Sequence, residues 1–399
     1  MKIQRNHSGL TFRPRRRRRD GFLPLTILVM ILLGVVMASR NWLYARLTNH
    51  ATPPSSADLQ SANRAFDAGN LDAAVNLTRQ VWATHPDQTE ALILLVRALI
   101  YRSYTDYNRD IDRAVALQLT TEAIRHFPQQ PDALTAHALA LQANESPVEA
   151  WNIARGVLDR YPDNTLARIT LALAYSSVGG YETARRESQI AVDTGEWRVD
   201  ALRVLAISLS DLGRYQEAVD TVTLAIDLNN KLLALHFEQA LYALQIGDTD
   251  TASVAYFRVL AFDPDNVKAR LRLCELSSQL GNQDRALDYC REVTARAPGW
   301  VEGWYMQGRV YFLQGDFAPA QISLHRCSTL AVAQNLPVDE RPFECWYWQG
   351  QAAQFLGDCD GLLATYHEFQ TMAAEFSLPQ TWIYPPEGPP NCVTPTPDS

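Results

Sequence analysis

Apolar residues recur along this chain in two alternating stripes, each with the spacing of about 3.6 residues that an amphipathic α-helix requires. In units of 34 residues, numbered so that a glycine falls at position 15, the first stripe occupies positions 4, 7, 8 and 11. The second stripe occupies positions 20, 24, 27 and 28. Each unit therefore predicts two helices, A and B, that each bury one face.

Two residue types fix the period of the repeat. Glycines stand 34 residues apart at Gly179, Gly213, Gly247, Gly281 and Gly315. Alanines keep the same interval at Ala150, Ala184, Ala218, Ala252, Ala286 and Ala320. A constant period of this length is typical of proteins built from repeated supersecondary units.

Further columns of special residues appear in the same register. Position 8 is nearly always small, with Ala62, Val96, Ala138, Ala172, Ala206, Ala240, Cys274, Gly308 and Gly350. Position 32 is usually proline, with Pro86, Pro128, Pro162, Pro264 and Pro298. The glycine at position 15 gives helix A a left-handed stop. Small residues at positions 8 and 20 let helices A and B approach closely, and neighbouring hairpins must stack because one hairpin cannot bury its stripes alone.

The small-residue, glycine and proline columns resemble those of the tetratricopeptide repeat family. The resemblance implies an all-α fold, a right-handed α-solenoid of about nine helical hairpins. Nine units fit residues 55–376, starting near 55, 89, 131, 165, 199, 233, 267, 301 and 343. One insertion of eight residues lies near Arg102–Asp110 in unit two, and a second, Asn335–Pro342, separates units eight and nine.

Residues outside the array have a different character. Residues 40–54 read as a tether, and residues 377–399 form a proline-rich C-terminal tail that cannot continue a helix. We expect Trp382, Ile383 and Tyr384 of this tail to pack on unit nine and cover its exposed face.

The N-terminal residues predict a membrane anchor. Residues 1–20 form a basic head with eight cations and one acid, whereas the remaining residues carry a net charge of −15. Gly21–Ser39 follows as nineteen residues without a charge, and a helix of that length crosses roughly 30 Å of hydrocarbon. Because cationic flanks are retained in the cytoplasm, the sequence predicts a single-pass protein of the cell membrane, with a cytoplasmic N-terminus and an extracytoplasmic solenoid.

Other interpretations of this segment stay open. Cleavage of a signal peptide near Ala38 would release a secreted solenoid. A basic head also suits nucleic acid or anionic lipid, although its place directly before an apolar run favours a topology signal. The opposite orientation, with a cytoplasmic solenoid, is opposed by the arginine cluster.

Motifs for chemistry are missing from the sequence. The histidines do not pair at metal-ligand spacing, and the chain has no phosphate loop, dinucleotide fingerprint or nucleophile elbow. We therefore expect no enzyme, no metal or other cofactor, no nucleic-acid partner and no small-molecule substrate. The alternative is an accessory or catalytic enzyme subunit whose site is formed by the two insertions and the tail, where Asp106, Asp110, Asp339 and Glu340 supply acids.

The six cysteines all lie in the last third of the chain. Cys274 and Cys290 occupy facing positions of one hairpin, which predicts a disulfide. Repeat geometry extends the set to Cys327–Cys345 and Cys359–Cys392, although six cysteines allow 15 connectivities. The alternative is that these positions require small apolar residues and that the cysteines are free thiols that fill this role.

The resemblance also implies where a partner binds, because family members line a concave groove with helix A positions 2, 5, 9, 12 and 13. The predicted groove residues here are Ile169, Leu173, Arg203, Ile207, Phe237, Leu241, Leu244, Lys268, Leu271, Tyr305, Arg309, Phe312 and Tyr347. This set is apolar and aromatic with a few cations, which favours an extended or helical partner segment anchored by hydrophobic side chains. Arg203 and Arg309 are expected to pair with acids of the partner.

These patterns together predict a membrane-anchored adaptor that binds a protein partner and helps to assemble an envelope complex. Family members that grip a chaperone's C-terminal carboxylate need Lys and Asn at positions 5 and 9 of one unit, and no unit here has that pair. The alternative for the groove is that the curvature of the solenoid closes it and neighbouring helices bury its residues.

Non-reducing mass mapping of the protein isolated from membranes tests both the pairing and the compartment. We expect disulfide-linked peptides for all three pairs, because disulfides persist outside the cytoplasm. Six free thiols would contradict the pairing and the extracytoplasmic location together. Reduced and alkylated protein is the control for complete peptide coverage.

Overall fold

The computed structural model describes residues 56–375 together with Trp382 and Ile383. Within these residues it holds eighteen α-helices, one short 3-10 helix (Val338–Glu340) and no strand. The helices are α1 (Ser56–Asp67), α2 (Leu71–Thr84), α3 (Thr89–Ser103), α4 (Ile111–His126), α5 (Pro131–Ala143), α6 (Pro147–Leu158), α7 (Thr165–Ser177), α8 (Tyr181–Thr194), α9 (Arg198–Asp211), α10 (Tyr215–Leu228), α11 (Leu233–Gln245), α12 (Thr249–Phe262), α13 (Val267–Gln279), α14 (Gln283–Arg296), α15 (Val301–Gln314), α16 (Phe317–Ala333), α17 (Glu344–Leu356) and α18 (Cys359–Glu375).

Consecutive helices pair into nine hairpins that stack on one another along the chain. The first helix of each hairpin begins within one residue of the unit start that the 34-residue register gives. The all-α solenoid of helical hairpins is therefore confirmed for the residues that the structure describes.

The predicted basic head, the apolar run Gly21–Ser39 and the tether of residues 40–54 lie outside the described residues. Among the helices that the structure does describe, not one has the length and apolar character needed to cross a bilayer.

Seven of the nine hairpins have a glycine with positive φ in the turn, and the turn follows from that glycine and the residue after it. Gly247 and Gly281 have φ of 75° and 80°, a left-handed conformation that ends helix A. The next side chain then starts helix B: Asp248 accepts a hydrogen bond from the Thr251 N–H, and Asn282 accepts one from the Arg285 N–H. One dipeptide thus stops one helix and caps the next.

Small residues at position 8 allow close contact between helices. At Gly308 a Cβ atom would lie 2.5 Å from Cγ of Leu324, which is fully buried. Substitution by any larger residue there forces α15 and α16 apart.

The last hairpin is closed by a residue of the tail. The Trp382 ring packs against Tyr347, Tyr366 and Phe369, at centroid distances of 5.8, 5.1 and 5.4 Å. Ile383 is exposed, and Tyr384 lies outside the described residues. Trp382 therefore covers an apolar face of the last hairpin that the structure describes.

Gly350→Ala tests this closure, because a Cβ at Gly350 would overlap the Trp382 indole. We expect a loss of about 1–3 kcal/mol in the free energy of unfolding, the usual cost of overpacking. Gly156→Ala in α6 is the matched control, since nothing lies within 4 Å of the added atom; it should stabilise by about 0.5–1 kcal/mol. Urea unfolding followed by circular dichroism measures both, and equal stability of the two variants would show that Trp382 does not pack here.

Candidate interaction site

Helix α3 is buried on all sides, unlike an ordinary solenoid helix. Thirteen of its fifteen residues are buried. Its neighbours in the stack, α2, α4 and α5, cover only part of its surface. The rest of α3 lies against residues of unit five, more than one hundred positions along the chain.

The contact between α3 and unit five is centred on a buried ion pair. Arg97 donates two hydrogen bonds to the Asp200 carboxylate, from Nη2 at 2.5 Å and from Nε at 3.3 Å. The same guanidinium lies over the Phe66 and Trp197 rings, 4.6 and 4.4 Å from their centroids. Two rings and a carboxylate thus surround a cation that has been removed from water.

Tyr101, one turn after Arg97, adds a third donor to this carboxylate, with its hydroxyl 3.2 Å from Oδ1 of Asp200. Burial, together with the nearby Asp200 charge, raises the pKa of Tyr101 far above its usual range. The phenol therefore stays protonated and keeps its donor role.

Arg203 extends the same network. Its guanidinium pairs with the Glu238 carboxylate at 2.6 Å and lies over the Tyr101 and Tyr104 rings. Burial opposes the charge, yet the Glu238 carboxylate raises the pKa of Arg203 well above its usual range. Arg203 was expected to pair with acids of a partner. That prediction is wrong, because the carboxylate that pairs with Arg203 belongs to α11 of the same chain.

The first insertion continues from α3 to the end of unit six and to unit seven as a strap, defined here as Tyr104–Asp110. Asn266 Nδ2 donates to the Thr105 carbonyl at 2.9 Å, and Lys268 Nζ donates to the Tyr104 carbonyl at 2.8 Å. Tyr107 stacks on Trp300 with centroids 4.6 Å apart. The strap thus joins unit two to units that follow it by about 160 residues.

Helix α3 accordingly closes the part of the predicted groove that belongs to units four and five. Ile169 is only 1% exposed. With Leu173 and Arg203 it surrounds a space of about 20 Å³ beneath α3. Leu271, at 0% exposure, also belongs to the core. The prediction that Ile169 and Leu271 bind a partner is therefore wrong, because both side chains pack in the interior. Ile207 of the same predicted set is half-buried.

An open cleft of about 550 Å³ remains between α11, α13 and the start of the strap. We call it the apolar cleft. It brings together four of the predicted groove residues, Phe237, Leu241, Leu244 and Lys268. Leu241 is 52% exposed although it lies beside other apolar side chains.

The charged groups of the apolar cleft are held by residues of the chain itself. Lys268 Nζ lies 4.7 Å from the Phe237 ring centroid, and burial lowers the pKa of this lysine. Arg272 pairs with Glu275 at 2.8 Å and with Glu302 at 3.2 Å. The charged groups of the cleft are therefore already paired within the chain, and its exposed apolar side chains are the groups left available to a binding partner.

Sequence reasoning missed several lining residues of this cleft, among them Tyr104, Tyr256, Arg272 and Leu276. Tyr104 comes from the insertion, where the repeat gives no register, and Tyr256 comes from a helix B. The aromatic character of the insertion sequence was the only available signal for Tyr104.

The remaining predicted groove residues lie farther towards the C-terminus. Phe312 packs against Phe317, Trp348 and Phe355 at centroid distances between 4.7 and 5.8 Å. Tyr347 packs against Trp348 and Trp382. Arg309 is half-buried. Phe312 and Tyr347 thus belong to aromatic clusters that units eight and nine form with each other and with Trp382.

The two insertions meet at a second cleft, of about 560 Å³. We call it the acidic cleft, and its lining includes Tyr107, Asp110, Trp300, Glu302, Tyr305 and Glu340. Asp106 instead accepts hydrogen bonds from the Tyr107 and Lys268 backbone N–H groups, and Asp339 is exposed outside the lining. Only two of the four acids predicted for an insertion site therefore share this cleft.

The lining of the acidic cleft contains no histidine, cysteine or lysine. Two carboxylates can serve as general acid and base, but two of the three in this lining, Asp110 and Glu302, are paired with Arg113 and Arg272. Within the described residues, no three His, Cys, Asp or Glu side chains are grouped closely enough to hold a metal ion.

The cysteines pair in the structure as follows. Cys274 on α13 and Cys290 on α14 form a disulfide within unit seven, with Cα atoms 5.5 Å apart. Cys327 on α16 and Cys345 on α17 form another between units eight and nine, with Cα atoms 5.9 Å apart. Cys359 is also disulfide-bonded. Its predicted partner Cys392 lies outside the described residues.

Stacked hairpins of 34 residues, with a left-handed glycine in the turn, define a helical repeat protein of the solenoid class. The family described as tetratricopeptide repeat matches residues 243–310, across units six to eight. This match and the fold support the tetratricopeptide repeat family that the sequence columns predicted.

Comparison with solved structures agrees on the fold. A chain of the APC/C hetero-tetramer Cut9–Hcn1 superposes with a TM-score of 0.55 at 14% identity, covering 79% of this chain and 59% of that chain. This protein thus spans about three-fifths of that relative. A tetratricopeptide repeat protein from Parabacteroides merdae gives a TM-score of 0.46 at 15% identity, covering 61% of this chain and 93% of its own. A search of curated proteins found no matching sequence.

Asp200→Asn tests whether the buried pair holds α3 in the groove. Because the change leaves the Arg97 guanidinium buried without a counter-charge, we expect a loss of about 3 kcal/mol in the free energy of unfolding. Glu182→Gln, which removes an exposed pair with Arg185, is the control and should cost less than about 0.5 kcal/mol. Urea unfolding measures the free energy of unfolding of both variants. Similar losses in this free energy would mean that the Arg97–Asp200 pair contributes no more than a surface pair.

Proposed function

We propose that this protein is a membrane-anchored scaffold that binds a protein partner in the apolar cleft between units six and seven. One observation carries the proposal: α3 closes the groove of units four and five, whereas the next part of the same face stays open and apolar. Tetratricopeptide-repeat folds generally mediate protein–protein interaction, which supports this class of function.

The side chains of the apolar cleft indicate how the partner binds. Phe237, Leu241 and Leu244 come from one face of α11, and Leu276 comes from α13. Contiguous apolar side chains at the surface are typical of an interaction site. A short extended or helical segment that inserts apolar side chains fits the cleft. A long helix does not, because α3 and the strap occupy the adjoining part of the face.

The place of action in this proposal rests on the sequence. The basic head and the apolar run Gly21–Ser39 anchor the chain in the cell membrane, with the solenoid outside the cytoplasm. A scaffold in this position serves the assembly of an envelope complex.

An enzyme subunit with its site at the insertions is the second candidate function. The meeting of the two insertions at the acidic cleft favours it. Two of its three carboxylates, Asp110 and Glu302, are already paired with arginines of the chain, which favours a binding surface over a catalytic one.

Crosslinking mass spectrometry on intact membranes, with matched variants, tests the scaffold. Leu241→Asp should reduce crosslinking of the partner about tenfold or more, because a bound apolar segment would bury the new charge unpaired. Leu224→Asp is the control, since Leu224 is exposed to a similar extent, 55%, on α10 outside the cleft.

Two results would contradict the proposed site. If Leu241→Asp keeps the wild-type circular dichroism and the full set of crosslinks, the apolar cleft does not bind the partner. If Leu224→Asp loses the partner equally, the contact surface lies on the outer face of the helices B.

A further inference from the structure

The acidic cleft offers a second binding surface, built from parts of the chain that the repeat does not supply. The strap provides Tyr107 and Asp110, the end of unit seven provides Trp300, and the second insertion provides Glu340. Tyr107 stacks on Trp300, and this contact holds the two rings in place at the wall of the cleft. The strap lines both clefts, with Tyr104 in the apolar cleft and Tyr107 in the acidic cleft.

We propose that the acidic cleft docks an arginine or lysine side chain from a basic segment of a protein partner. The stacked pair and the half-buried Tyr305 present aromatic surface to the cleft. Aromatic faces attract guanidinium and ammonium groups, and such contacts strengthen where water is partly excluded.

Charge complementarity identifies the occupant as cationic. The lining carries three carboxylates, Asp110, Glu302 and Glu340, and no Lys, Arg or His. Asp110 pairs with Arg113, and Glu302 pairs with Arg272, both of which lie outside the lining. Glu340 forms no ion pair with any residue that the structure describes. A partner cation would give Glu340 the counter-charge that the described residues do not provide.

The remaining charge of the chain supports the same occupant. Residues 21–399 carry a net charge of −15. A field of this sign attracts basic segments over distances of about a Debye length, roughly 10 Å. It also repels nucleic acid, so a basic peptide segment is the macromolecular ligand that the cleft favours.

A titration with a defined probe tests this docking. The probe is a fluorescein-labelled Gly-Arg-Arg-Arg-Gly peptide, added to the full chain in uncharged detergent at low ionic strength and followed by anisotropy. We expect saturable 1:1 binding that also quenches Trp fluorescence. A peptide with citrulline in place of arginine keeps the shape without the charge, and it should bind at least about threefold more weakly.

Matched variants locate the site. Glu340→Gln removes the unpaired charge and should weaken binding about threefold to tenfold, the effect of one exposed charge pair reinforced by aromatic contact. Asp339→Asn, one residue earlier and outside the lining, should bind as the wild type does. Leu241→Asp, in the apolar cleft, should also bind normally, so that this proposal and the scaffold proposal fail or succeed separately.

Four outcomes would overturn the proposal. If Glu340→Gln binds the peptide as tightly as the wild type, the peptide does not bind in the acidic cleft. If Asp339→Asn loses as much peptide affinity as Glu340→Gln, the effect comes from the general surface charge. Binding lost in Leu241→Asp places the peptide in the apolar cleft. If the wild type self-associates, Glu340→Gln abolishes this association and the peptide does not compete with it, the occupant of the cleft is a second copy of the chain.

Discussion

The arrangement of this solenoid depends on one constraint: a cation placed within an apolar helix must find its counter-charge elsewhere in the chain. Arg97 lies in the middle of α3, and the carboxylate that neutralises it belongs to Asp200. Tyr101 donates to the same carboxylate, and Arg203 stacks on Tyr101. Satisfying this network requires units two and five to touch, and the positions of the strap and the clefts follow from that contact.

The same contact decides which surfaces are available to a partner. A solenoid of this family presents one continuous concave face in the simplest case, whereas here α3 covers the part that belongs to units four and five. The strap contributes to the lining of both the apolar cleft and the acidic cleft. The described part of the chain therefore presents these two surfaces of different chemistry in place of one continuous groove.

The sequence was informative wherever the determinant was local. The first helix of each hairpin starts within one residue of the predicted unit start, because the 3.6-residue stripes and Gly247 or Gly281 act over a single turn of chain. The closure by α3 was not predicted, since nothing in the 34-residue spacing links Arg97 to Asp200. The available signal was α3 itself, in which apolar residues occupy every face, a pattern typical of a helix buried on all sides.

The candidate site was predictable to a similar degree. Phe237, Leu241 and Leu244 lie together because they share one helix face, which the register describes. Arg203 and Ile169 were misplaced because their surroundings come from another hairpin. The acidic cleft depends on Tyr107 and Glu340, which lie in insertions where the register gives no position.

The long-range pairing of α3 also affects the order in which the protein can fold. In an ordinary solenoid each hairpin packs only on its neighbours, so folding can follow synthesis from the N-terminus. Here 103 residues separate Arg97 from Asp200, and at about 5–20 residues per second they take roughly 5–20 s to synthesise. For that time a largely apolar helix lacks the surface that will cover it. The N-terminal hairpins are therefore the part of this chain that most needs protection from aggregation during biogenesis.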